Sequence, residues 1–99
     1  MFTVKWTPEA EEQYYKNLDF WIENNKSSTY SEKIIEEVIY MESLLIANPL
    51  IGIIVENTNN EVRRVLILTN FALYYRLKNE VIEILTFWGN KMNPKDLKF

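Results

Sequence analysis

The chain contains neither cysteine nor histidine among its 99 residues. Without cysteine there is no disulfide framework and no thiolate nucleophile, and a zinc site would need carboxylates alone. Without histidine, any general acid or base has to be Glu, Asp, Lys, Tyr or a water. The opening Met1-Phe2-Thr3-Val4-Lys5-Trp6 lacks the apolar run of a signal peptide. No stretch approaches the ~18 apolar residues of a membrane span. No repeat or low-complexity segment is present, and no tyrosine follows Tyr75. What is present is apolar mass: 47% hydrophobic and 14% aromatic residues, too much for a disordered tail. A chain of this length folds as one domain, residues 1–99, burying somewhat over ~60% of its unfolded surface. The expectation is a small, soluble, cytoplasmic protein.

The formal net charge of −3 hides an asymmetry. Residues 1–50 carry four lysines against nine acids, and residues 51–99 carry seven bases against five acids. All three arginines, Arg63, Arg64 and Arg76, lie in the second half. An anionic partner would therefore meet the second half first. An acidic helical face and a mixed sheet that are simply solvated account for the same numbers.

Hydrophobic period divides the chain in the same place. Phe2, Val4 and Trp6 alternate as a short strand. Thr7-Pro8 predicts a helix start, Thr7 capping free amides and Pro8 losing no hydrogen bond at the first helical position. Ala10, Tyr14, Leu18, Trp21 and Ile22 recur at helical spacing to about Asn24. Thr29-Tyr30-Ser31-Glu32 fits a capping box and opens a second helix striped by Ile34, Val38, Met41 and Leu45, with Ile35 widening the stripe. Pro49 should stop that helix at Asn48. The short connection predicts an antiparallel helical hairpin, and its stripe reads as core. Beyond the turn cluster Asn57–Asn60, three segments predict strands: Val62–Leu68, Ala72–Leu77 and Val81–Trp88. The first and last are apolar on both faces, so besides the hairpin the sheet has a second cover from a partner or a tail, or exposes apolar surface awaiting one. Asn93-Pro94 marks a frayed C-terminus. The fold class is α+β: a short N-terminal strand and a helical hairpin packed on a C-terminal antiparallel sheet.

Several motifs then carry a resemblance. Val4-Lys5-Trp6-Thr7-Pro8-Glu9-Ala10, Asn48-Pro49 with Gly52, Glu61-Val62-Arg63-Arg64-Val65, Tyr74-Tyr75-Arg76 and Val81-Ile82-Glu83-Ile84-Leu85 stand in order along the chain. With Phe87-Trp88-Gly89-Asn90-Lys91-Met92-Asn93-Pro94 at the end, the series resembles the RelE/ParE superfamily of type II toxin-antitoxin toxins, the plasmid stabilisation family. Gly89 stands where the related branch has Asp, and Lys91 where it has Arg. Lys91 keeps the charge and loses the forked geometry.

The resemblance implies two activities. RelE-like members cut messenger RNA on the ribosome, which needs activation of a 2′-hydroxyl and stabilisation of a phosphorane; here Arg63, Arg76 and Lys91 would carry it. ParE-like members bind and poison DNA gyrase without a catalytic constellation. The missing histidine, the missing late tyrosine and the pI of about 5.0 place the chain nearer ParE, because an acidic protein gains little from counterion release on RNA. A non-toxic module that only pairs with its antitoxin is the third reading. The implied partners are a cognate antitoxin, DNA gyrase or alternatively the ribosome with its mRNA, and operator DNA only through the antitoxin; no membrane, cofactor or metal is implied. The antitoxin's C-terminal segment would lie in the groove of helices and open sheet.

The contact residues so implied are Arg63, Arg76, Trp88, Asn90 and Lys91, with Arg63 and Lys91 near the rim of the open face. Each has a structural alternative. Arg63 could pair with a carboxylate such as Glu61 or Glu83, Trp88 could be partial core, and Asn90 and Lys91 could be solvated loop. Alternation puts Arg76 on the Tyr74 face, away from Leu73, Tyr75 and Leu77, and Arg64 opposite Arg63. It leaves the side taken by Trp88 open.

Overall fold

Strand β1 (Thr3–Trp6) leads into helix α1 (Pro8–Asn25) through the expected cap. The Thr7 hydroxyl oxygen accepts the Ala10 N–H at 3.2 Å, and Pro8 takes the first helical position. Lys26, at φ 54°, ends the helix in the left-handed region with its N–H donating to the Ile22 carbonyl. Helix α2 (Thr29–Ala47) follows. Its expected capping box does not form: Thr29 is already helical, and Ser28 at the cap position makes no side-chain bond. Ser27 Oγ instead accepts the Thr29 N–H at 3.2 Å, so a serine two residues upstream takes the capping task. Asn48 is extended, as Pro49 demands of its predecessor, and the helix stops there.

The computed structural model describes residues 1–89 with 92, 97 and 99, so Asn90, Lys91 and the Asn93-Pro94 pair lie outside the described residues. Among these residues no helix is long and apolar enough to cross a membrane. Four further strands are β2 (Ile53–Ile54), β3 (Val62–Ile67), β4 (Phe71–Lys78) and β5 (Val81–Gly89). They form one sheet in the order β1-β5-β4-β3-β2. β3, β4 and β5 form the predicted antiparallel meander, and β2, which the pattern does not announce, pairs antiparallel with β3. β1 adds a fifth strand parallel to β5, Thr3 beside Val81 and Trp6 beside Ile84, which makes the whole sheet mixed. Left-handed backbone in the turns falls on Asn57, Asn59, Asn60 and Asn79, residues whose short amide side chains tolerate it, and also on Leu68 between β3 and β4.

One face of the sheet lies under the hairpin. Ala10 and Leu18 of α1 and Ile34, Val38 and Leu45 of α2 pack against Val65, Ile67, Phe71, Leu73, Tyr75, Ile82, Ile84 and Phe87. A chain of ring contacts runs through this layer from Trp6 over Tyr14, Phe87, Phe71, Tyr30 and Trp21 to Phe20, with centroids 4.9–6.5 Å apart. On the other face Val62, Ala72, Tyr74 and Trp88 form a second cluster, joined by Val55, Leu85, Met92 and Leu97. The ring of Phe99 lies 4.9 Å from that of Tyr74. Tail residues thus supply part of the second cover that the doubly apolar strands require.

Candidate functional site

The motif residues Pro49, Gly52, Arg63 and Tyr75 converge under the helical face. Tyr75, fully buried, donates its hydroxyl to the Pro49 carbonyl at 2.8 Å and accepts the Gly52 N–H at 2.9 Å. Arg63 Nη1 donates to the Leu50 carbonyl at 3.1 Å and to the Gly52 carbonyl at 2.8 Å. Gly52 is required by closeness, since a Cβ there would lie 2.6 Å from the Tyr75 hydroxyl oxygen. The loop after α2 has no regular partner for its backbone, and these two side chains from β3 and β4 satisfy it. Burial pushes the Tyr75 phenol up, against the opposing pull of the Gly52 N–H and the Arg63 charge. It is held neutral, with both functions of its hydroxyl in use.

Two placements differ from the expectations. Arg63 lies on the helix side of the sheet, with Val65 and Ile67, and not on the rim of the open face. Its bonded partners are backbone carbonyls of the loop rather than Glu61 or Glu83. The carboxylate Glu83 belongs to Arg76, its cross-strand neighbour, whose Nε donates to Glu83 Oε1 at 2.7 Å.

Arg76 sits on the far face, as alternation predicts, yet both arginines border one hollow at the β3 start and β4 end. This hollow of about 440 Å³ is lined by Leu50, Asn60, Glu61, Arg63, Arg76, Leu77 and Lys78. Arg63, Arg76 and Lys78 stand against Glu61 and against the Glu83 that pairs with Arg76, and the remaining positive surplus suits the hollow to hold an anion, a carboxylate or a phosphate. The neighbouring phenol of Tyr75 is neutral and fully engaged, so it is no proton acceptor near neutral pH. Lys78 escaped the sequence reading because a lysine closing a hairpin looks the same whether solvated or lining a site.

Trp88 is elsewhere. Opposite Tyr74/Tyr75 the register of β5 shifts from Ile84 to Thr86, leaving Leu85 as an extra residue. This bulge turns the following side chains over, so Trp88 joins Tyr74 on the face away from the helices, although Ile82 and Ile84 point to them. It is buried there beside Ala72, about 13 Å along β4 from Arg76. The hollow therefore gathers Arg63 and Arg76 without Trp88, and Asn90 and Lys91 fall outside the described residues.

The sequence matches the family described as "ParE toxin of type II toxin-antitoxin system, parDE" over residues 4–94. The fold is similar to a chain of the chromosomal ParDE toxin-antitoxin system from P. aeruginosa, with TM-score 0.74 and 22% identity over 90% of this chain and 96% of that one. It is also similar to YafQ from E. coli, with TM-score 0.57 and 10% identity over 91% and 94% of the two chains. No curated protein matches the chain in sequence.

Proposed function

The chain belongs to the ParE toxin family of type II toxin-antitoxin systems, and on that premise we propose that it inhibits growth by binding a target such as DNA gyrase and is neutralised by a cognate antitoxin. The match over residues 4–94 carries this reading. Its preference for binding over cleavage is supported by the hollow's chemistry: Arg63 is tied to two carbonyls, Arg76 to Glu83, and Tyr75 to the loop. Cleavage of RNA needs a base and an acid beside the phosphate, and these groups are engaged in holding the fold. In this reading Lys78 offers charge to the target or antitoxin at the hollow's rim, joined by Arg76, whose side chain stays 40% exposed in its pair with Glu83. Trp88, Asn90 and Lys91 are further contact candidates, resting on the family resemblance, and Arg63 supports the loop beneath.

The test is expression alone and beside the product of the adjacent reading frame. Alone, the protein should arrest growth with signs of DNA damage, and the purified protein should inhibit supercoiling by gyrase. Co-expression should restore growth and yield a soluble complex. Mapping of message ends decides against this reading if cuts gather at the ribosomal A site.

A further inference from the structure

The end of β5 leaves a space in the helix-facing layer that no side chain of the strand fills. Phe71 and Gly89 are cross-strand partners, as are Leu73 and Phe87, and residues directly opposite one another share a face. Phe71, Leu73 and Phe87 are all buried beneath the helices, so a side chain at position 89 would point there too. Glycine supplies none. A Cβ at that position would meet Asn17 Oδ1 and the Phe71 ring at 3.6 Å, which is ordinary van der Waals contact. The space is a cavity of about 380 Å³, bordered by Phe20, Trp21, Phe71 and Met92 and by the amides of Asn17 and Asn70. It stands at the outer end of the run of ring contacts, where Trp21 lies edge-on to Phe20 at 5.2 Å and Phe20 is 49% exposed. Asn17 Nδ2 donates to the Gln13 carbonyl at 2.8 Å, which fixes the amide and leaves Oδ1 on the side of Gly89. That oxygen accepts no hydrogen bond among the described residues.

We propose that this cavity binds a small neutral aromatic molecule of one or two fused rings that carries one N–H or O–H donor, the class of indole and the phenols. Its volume falls at the small end of ligand pockets, which span about 300–1,000 Å³, and so favours a compact molecule. Phe20, Trp21 and Phe71 offer ring faces and edges at the separations aromatic pairs adopt, about 4.5–7 Å between centroids. The Met92 thioether adapts to the edge of the bound ring. Asn17 Oδ1 supplies the directional contact, an acceptor that selects a donor-bearing ring over a plain hydrocarbon. An ionic ligand would enter without a counter-charge, since none of the described lining residues is charged. Phe71 opens β4, whereas Arg76 and Lys78 stand at its far end, so this cavity is separate from the hollow between the arginines. The inference therefore does not rest on the choice of cellular target.

The test is titration of the full chain with indole, followed by backbone amide shifts. Binding should saturate at one molecule per chain, with shift changes gathered on the second half of α1, Phe71 and Gly89. Benzofuran has the same shape without the N–H and should bind about tenfold more weakly, the loss of one hydrogen bond. Asn17→Ala should weaken indole by about the same factor and leave benzofuran within about twofold, a contrast that a merely structural role for Asn17 would not produce. Gly89→Leu should fill the space and abolish binding of both ligands with the circular dichroism spectrum unchanged. Should that variant unfold, the paired titrations of Asn17→Ala decide. N-acetyltryptophanamide presents the ring as a partner's side chain would, and should bind about tenfold more weakly than indole, because its amides lose water without finding partners. Tighter binding of that compound would assign the cavity to a protein side chain and overturn the proposal. Equal affinities for indole and benzofuran, equal weakening of both by Asn17→Ala, binding retained by a folded Gly89→Leu, or no saturation at about 5 mM indole would each overturn it as well.

Discussion

Arg63 and Arg64 are neighbours in the chain, and so are Tyr74 and Tyr75; across the sheet Arg63 stands opposite Tyr75 and Arg64 opposite Tyr74. The two cross-strand pairs have the same composition and opposite surroundings. Arg63 and Tyr75 point toward the helices and bind four backbone groups of residues 49–52. Arg64 is exposed, and Tyr74 packs among Val62, Ala72 and Trp88 and under the Phe99 ring. What separates them is strand parity together with a loop that lacks partners of its own. An arginine matching a family motif can thus serve the backbone, and motif membership alone does not make it a contact residue.

The largest effect should come from the position both members of the inner pair touch. Gly52→Ala would place a Cβ 2.6 Å from the Tyr75 hydroxyl oxygen, cost about 2–4 kcal/mol through overpacking and broken hydrogen bonds, and lower Tm by about 10–20 °C. Gly89→Ala is the control, since the nearest heavy atom there is 3.6 Å away and thermal melts should barely differ.

The tyrosines come next. Tyr75→Phe strands the Gly52 N–H and the Pro49 carbonyl and should cost about 1–3 kcal/mol in urea unfolding. Tyr74→Phe should stay within about 0.5 kcal/mol; equal losses would dissolve the distinction between the faces. For the arginines, Arg63→Ala should cost about 1–2 kcal/mol, because it leaves carbonyls and not a carboxylate unpaired. Arg64→Ala should fall within about 0.5 kcal/mol. Combining Arg63→Ala with Tyr75→Phe should be non-additive, since both act on one loop.

The smallest effect is one of pH. The folded protein holds the Tyr14 phenol near 12 and raises that of Tyr75 as well, above the value of about 10 in an unfolded chain. The neutral phenols are the form the fold favours. Their contribution is complete below pH ~10 and declines as the pH rises through the folded values. Absorbance at 295 nm should show late-titrating phenols that unfolding in urea at pH 10 releases.

Much of this fold is legible in the sequence. Thr7-Pro8 and Pro49 bound the helices, period separates hairpin from meander, and alternation places Arg76 beside Tyr74. Three features are not legible, each for a physical reason. The acceptors of Arg63 are carbonyls, which every residue carries, so no side-chain pattern announces them. The side of Trp88 depends on one extra residue, Leu85, and several neighbouring residues could have bulged instead. The bond from Trp6 to Glu42 joins positions 36 apart, brought together only when the hairpin lies on the sheet.

The position of β5 bears on when the protein exists at all. This strand comes last in chain order among those described, yet it lies inside the sheet between β1 and β4, with Thr3 beside Val81. During synthesis at ~5–20 residues per second, the first strand waits about 4–16 s for its neighbour to be made. Until then Phe2, Val4 and Trp6 have no sheet to join, and the helices have only part of the surface they cover. Pairing across 78 residues makes closure of the sheet a late, long-range step. The nascent chain consequently lacks the tryptophan face until Gly89 has cleared the ribosome, whereas every residue lining the hollow between Arg63 and Arg76 is made before β5.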